Sequence, residues 1–149
     1  MNESNFIRGM FEGGAFQSIE RLAQFTEHRH KVISHNIANM STPRYRPQKL
    51  SPKEFQGTLS EAIDARRRNY GGPNRELNIR RTRHMTFQDK GIDVRMDDQN
   101  SNIMFHDQNN RSLEETMKNL ATNAMAYSMS TQLATNQFSM INTAISERV

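Results

Sequence analysis

The chain has 149 residues, no Cys, no Trp and a hydrophobic fraction of 34%, which is enough for one domain but poor in core-forming side chains. The lack of Cys excludes disulfides and thiolate metal sites, and no stretch is long and apolar enough to span a membrane. The net charge of +4 is uneven: residues 1–42 balance at 0, residues 43–112 carry +5 and residues 113–149 carry −1, so a basic, wet centre lies between near-neutral ends.

Met1 to Gly14 is polar and interrupted by Gly9, Gly13 and Gly14, and it is expected to stay loose until it docks. A helix is predicted from Ala15 or Phe16 onward. Ile19, Leu22, Thr26, His30, Ile33, Ile37 and Met40 step by three or four, which is the period of a helical seam. It should stop where Asn39, Ser41 and Thr42 compete for backbone hydrogen bonds. Pro43 lacks an amide and biases Thr42 away from helical geometry.

The middle is less regular. Glu54 to Arg67 reads as a short helix with Phe55, Leu59 and Ile63 on one face, followed by Gly71, Gly72 and Pro73 in a loop. Leu77 to Arg83 alternates and reads as a short strand; Asp89-Lys90-Gly91 reads as a turn before a second strand, Ile92 to Met96. Asp97 to Asn102 is polar and expected to be a loop.

The last third dominates. Leu113, Met117, Leu120, Ala124, Tyr127, Thr131, Ala134, Phe138, Ile141 and Ile145 alternate steps of four and three, a heptad seam. Ser112 with Glu115 reads as a capping box, and no Pro or Gly follows before Ser146. One helix of about 34 residues, roughly 50 Å long, is predicted. Its other faces carry no charge from Asn119 to Ser146. A helix with a wet face normally carries Lys, Glu or Arg there, and a membrane helix would not hold Asn119, Asn123, Gln132, Asn136, Gln137 and Asn142 together. Packing against helices on several sides is the remaining option. A single intramolecular seam falls short of the entropy of ordering so long a segment, so assembly is expected to order it.

The expected fold class is mainly α. Long N- and C-terminal helices pair as a coiled coil, with a small irregular, β-containing middle. The division is 1–42, an N-terminal assembly helix; 43–111, an exposed basic middle; and 112–149, a C-terminal assembly helix.

The run Asn36-Ile37-Ala38-Asn39, then Thr42-Pro43 and Tyr45, resembles the N-terminal signature of bacterial flagellar axial proteins, the rod, hook and hook-associated components. Those proteins usually have Gly before the Tyr; this chain has Arg44. Asn109, Asn110, Glu115 and Met117 before the heptads resemble the C-terminal element of the same superfamily, and the short length with Thr82, His84 and Met85 resembles its proximal-rod branch. The resemblance implies that Asn36, Asn39, Thr42 and Tyr45 fix a turn and touch neighbouring subunits. It implies a structural subunit of the basal-body rod that polymerises through its terminal helices and transmits torque. Export through the flagellar type III apparatus without a cleaved signal is implied too, since Met1 to Glu12 has no signal-like apolar run. The location implied is the periplasmic rod. The partners implied are copies of the chain, other rod proteins, and ring and export-gate adaptor proteins. Another axial or secretion-filament component is the alternative within that class.

Other chemistries have less support. His28 and His35 share a helix face but lack a carboxylate pattern, so no metal or cofactor is expected. Arg66, Arg67, Arg68, Arg80, Arg81 and Arg83 invite a nucleic-acid reading, but Tyr70 is the one aromatic nearby that might stack on a base. A solvated surface or an acidic protein neighbour accounts for them better. Asp93, Asp97 and Asp98 cluster without a nucleophile or paired base, so neither an enzyme nor a small-molecule substrate is expected.

Overall fold

A computed structural model describes residues 14–42, 45, 47–68, 77–82, 85–88, 91–94 and 109–146. The elements are α1 (Gly14–Ala38), α2 (Pro52–Arg68), β1 (Met85–Gln88), β2 (Gly91–Val94) and α3 (Asn109–Ser146). The molecule is mainly helical. The long terminal helices α1 and α3 pack together, and one antiparallel two-stranded sheet occupies the middle.

The pairing of α1 and α3 is antiparallel. Phe16, near the start of α1, meets Phe138, near the end of α3, edge to face with centroids 5.1 Å apart. Further along α1, Arg29 reaches Asn119 and Asn123, near the start of α3. The 38 residues of α3 give it a length of about 57 Å at 1.5 Å per residue. It begins at Asn109, so Ser112 falls inside the first turn and not at the cap, because nothing between the two positions breaks a helix.

An adjoining face of α1 carries the core. Phe25, Leu50, Phe55, Met85 and Ile92 form one buried cluster, with Leu22, Leu59 and Phe87 against it. The Phe25 and Phe55 rings stack at 4.1 Å and 7°. The described parts of the middle segment, expected to be an exposed insert, thus supply the apolar side chains that pack around Phe25 and Leu22, while α3 covers most of the rest of α1. Among its described residues, Leu50, Phe55, Ala62, Leu77, Ile79, Met85 and Ile92 are buried. A second cluster, Ala62, Leu77 and Ile79, continues the layer along α2.

Local chemistry explains the boundaries. Helix α2 starts before the expected Glu54, because Ser51 Oγ accepts from the Glu54 amide at 3.3 Å and Pro52 suits the first helical position. The hairpin pairs Met85 with Val94, Thr86 with Asp93, Phe87 with Ile92 and Gln88 with Gly91. Its first strand was not foreseen, and its second covers Gly91–Val94 in place of Ile92 to Met96. Among the described residues, 77–82 join no strand. Leu77 and Ile79 do alternate inward as a strand's residues would, but they pack on α2, and the Leu77 amide donates to Gln17 Oε1 at 3.0 Å.

Candidate assembly interface

The end of α1 is held by one side chain. Asn36 Oδ1 accepts from the Tyr45 hydroxyl at 2.8 Å and from the Gln48 amide at 2.9 Å, while its Nδ2 donates to the Gln48 carbonyl at 2.7 Å. An Asn side chain here imitates a strand partner for Gln48 and fastens the returning chain to the helix. Donation to the Gln48 carbonyl fixes which way the amide points. The Tyr45 proton is therefore committed to Asn36, and His35 Nδ1, 2.9 Å from the Tyr45 oxygen, must be the donor of that second bond. Asn39 Nδ2 turns back to the His35 carbonyl at 2.9 Å, capping the last turn. The Thr42 amide donates to the Asn39 carbonyl and the Tyr45 amide to the Thr42 carbonyl, which continues the turn. Ile37 is half-buried, and Ala38 and Thr42 are exposed. Pro43 and Arg44 lie outside the described residues. Burial pushes the Tyr45 phenol above its ordinary value.

The α1–α3 contact has a polar centre. Asn123 is 1% exposed and its Nδ2 donates to the Thr26 carbonyl at 2.7 Å. Arg29 donates to Asn123 Oδ1 at 3.4 Å and to Asn119 Oδ1 at 3.3 Å. Thr26 is also buried, its hydroxyl donating back to the Leu22 and Ala23 carbonyls. Arg29 is half-buried against neutral oxygens, and desolvation lowers its pKa.

The contact face of α3 is offset from the hydrophobic seam. Leu113, Leu120, Thr131 and Ala134 are half-buried and Ile141 is buried, but Met117, Ala124, Tyr127, Phe138 and Ile145 are exposed. Thr116, Asn123, Ala126, Gln137 and Ala144, each one residue earlier, turn inward in their place, and Ser130, beside Thr131, is buried as well. Small and short polar groups let two helix backbones approach, and each must satisfy its own hydrogen bonds; Ser130 Oγ does so by donating to the Tyr127 carbonyl at 2.7 Å. A search for large apolar residues passes over such a column. On α1 the predicted seam departs at one position: Thr26 and Ile33 are buried and Ile19, Leu22 and Ile37 half-buried, but His30 is exposed and Arg29 beside it makes the cross-helix contact.

The displaced apolar residues define a surface. Every exposed large hydrophobic among the described residues lies on α3. On a helix of 3.6 residues per turn they form two stripes flanking the contact face. Met117, Tyr127, Phe138 and Ile145 make one; Met125, Met129, Leu133 and Met140 make the other. Met125, Met129 and Met140 are 72%, 61% and 63% exposed. The second stripe borders a shallow groove lined by Asn136, Ser139, Met140, Thr143 and Ala144. Contiguous exposed apolar surface of this kind marks contact with another molecule.

Charged groups lie elsewhere. Lys31 pairs with Glu27 at 2.7 Å and holds that carboxyl below its ordinary value, chiefly through the hydrogen bond. Arg67 stands 3.9 Å from Asp64, and both are exposed. Arg66 is half-buried, Arg68, Arg80 and Arg81 are exposed, and Arg83 lies outside the described residues. Among the described residues no group of three His, Asp or Glu is placed to hold a metal, and no helix is long and apolar enough to cross a membrane.

The chain is 34% identical over 125 residues to the flagellar basal body rod protein FlgB of Borrelia hermsii, covering 78% of this chain and 84% of that protein. It is 24% identical over 132 residues to FlgB of Bacillus subtilis strain 168, covering 89% and 93%. No family model and no solved structure matches it.

Proposed function

Because the chain belongs to the FlgB family of flagellar basal body rod proteins, we propose that it is a structural subunit of the proximal rod, polymerising through its terminal helices. One observation carries the reading: α3 exposes two apolar stripes and bears no charge from Asn119 to Ser146. An unpaired charge in a crowded helical wall is expensive, and a large apolar side chain left in water forgoes ~1.5–3 kcal/mol of burial. Both costs vanish when neighbouring subunits cover the helix. The partners are copies of this chain, other rod proteins, and the ring and export-gate adaptor proteins at the rod's base. The terminal helices act as a coiled coil, and torque passes through their side-by-side contacts. The subunit reaches the periplasm through the flagellar type III apparatus. Residues 1–42 and 112–149 are the assembling parts and 43–111 the part between. Within the first, the Asn36–Tyr45 clasp sets the angle at which the chain leaves α1, and its outer residues Ala38 and Thr42 meet a neighbour.

Met129→Lys tests this. Met129 is exposed, so the variant keeps wild-type helicity by circular dichroism, while its incorporation into purified basal bodies drops. Incorporation at the wild-type level would overturn the proposal.

A further inference from the structure

We infer that Thr26, Arg29, Asn119 and Asn123 form a register lock, a polar junction that selects one axial alignment of α1 against α3. The inference concerns the fold of one chain and does not depend on the rod reading.

Apolar contacts along a helix pair repeat every seven residues, so a shift by one heptad keeps the hydrophobic pattern almost intact. The α1 residues at heptad spacing from Thr26 are Ile19 and Ile33. Those spaced likewise from Arg29 are Ala15, Leu22 and Asn36. Arg29 therefore brings the one guanidinium in its column and carries the register, since the acceptor at Thr26 is a backbone carbonyl. The inward column of α3, Thr116, Asn123, Ser130, Gln137 and Ala144, is small and adaptable and would tolerate several alignments by shape alone.

The junction removes that freedom. In the observed register both polar atoms of Asn123 are partnered: Nδ2 donates to the Thr26 carbonyl and Oδ1 accepts from Arg29. A slip of one heptad places Asn123 beside Ile19 or Ile33 with no guanidinium in reach, leaving a buried carbonyl oxygen unpaired. It also carries Arg29 away from both Asn oxygens while its charge stays half-desolvated. Wrong registers are penalised twice, once on each helix. A single buried polar pair that specifies alignment is a known use of such groups in helix pairs.

Distance measurement between spin labels tests the inference. The labels sit at the exposed positions Lys31 and Gln132 of the full chain, diluted with unlabelled chain so that only intramolecular distances are read. These positions are offset along the axis, so a one-heptad slip, about 10 Å at 1.5 Å per residue, changes the distance by most of that length. The wild type should give one narrow distribution. Asn123→Leu and Arg29→Met should each keep helicity yet add a second population displaced by about 10 Å. Because Arg29 is at the edge of the contact, Arg29→Met retains the core even where Asn123→Leu fails to fold. A broad wild-type distribution, or a single unshifted distance in Arg29→Met, would overturn the lock.

Discussion

Replacing Asn36 by Ala isolates the clasp at the end of α1. The change deletes three hydrogen bonds at once and leaves the Gln48 amide, the Gln48 carbonyl and the Tyr45 hydroxyl without their partner. A net value of about 0.5–1.5 kcal/mol per bond gives an upper limit of about 4.5 kcal/mol for the three. Asn36 is only half-buried, so water recovers part of it, and a loss of roughly 2 kcal/mol is expected. At ~2–4 °C per kcal/mol for a chain of this size, melting should fall by about 4–8 °C. Asn36→Asp separates hydrogen bonding from size. It keeps the acceptor for Tyr45 and Gln48 N–H but sets a carboxylate against the Gln48 carbonyl, so it should be destabilising despite equal volume. Urea unfolding measures the loss, and hydrogen exchange at the Gln48 amide reports the local opening. A loss under about 0.5 kcal/mol in Asn36→Ala, with Gln48 exchange unchanged, would refute the clasp.

Other outcomes follow from the same geometry. Phe55→Ala removes a fully buried ring stacked on Phe25 and should cost about 3–5 kcal/mol, read by urea unfolding. Tyr45→Phe should cost about 1 kcal/mol through the lost bond to Asn36. The raised Tyr45 pKa means that its stabilising effect is present below the unfolded value near 10 and fades as pH rises through the folded value, followed by phenolate absorbance. Glu27→Gln should cost no more than about 0.5 kcal/mol, because the Lys31 pair is exposed. The Glu27 carboxyl is depressed in the folded chain, so its contribution is present above the ordinary carboxylate range and lost as pH falls through the folded value.

Much of the architecture was legible from periodicity and punctuation. The terminal helices follow from apolar spacing and from the Asn39 to Pro43 stop, and the mainly helical class with a small β element holds. The phase of the α3 contact was not legible, because a hydrophobicity reading ranks Met117 and Phe138 above Asn123 and Ser130. Their inward position depends on what α1 offers, above all the Arg29 guanidinium and the Thr26 carbonyl. Strand β1 was missed because Met85 to Gln88 is short and not β-branched throughout; it exists because β2 pairs with it and Phe25 and Phe55 cover its Met85. The Ser51-Pro52-x-Glu54 cap that starts α2 was readable and passed over. In the motif, the residue types announced a turn, but the bond from Asn36 to Gln48 needed coordinates.

Methionine footprinting reaches the central claim most directly. Met125, Met129 and Met140 are largely exposed in the single chain, so hydroxyl radicals should oxidise them readily in the dilute subunit. In intact basal bodies the same three should be protected, because neighbouring helices cover that stripe. Equal oxidation in the free and assembled states would contradict the account.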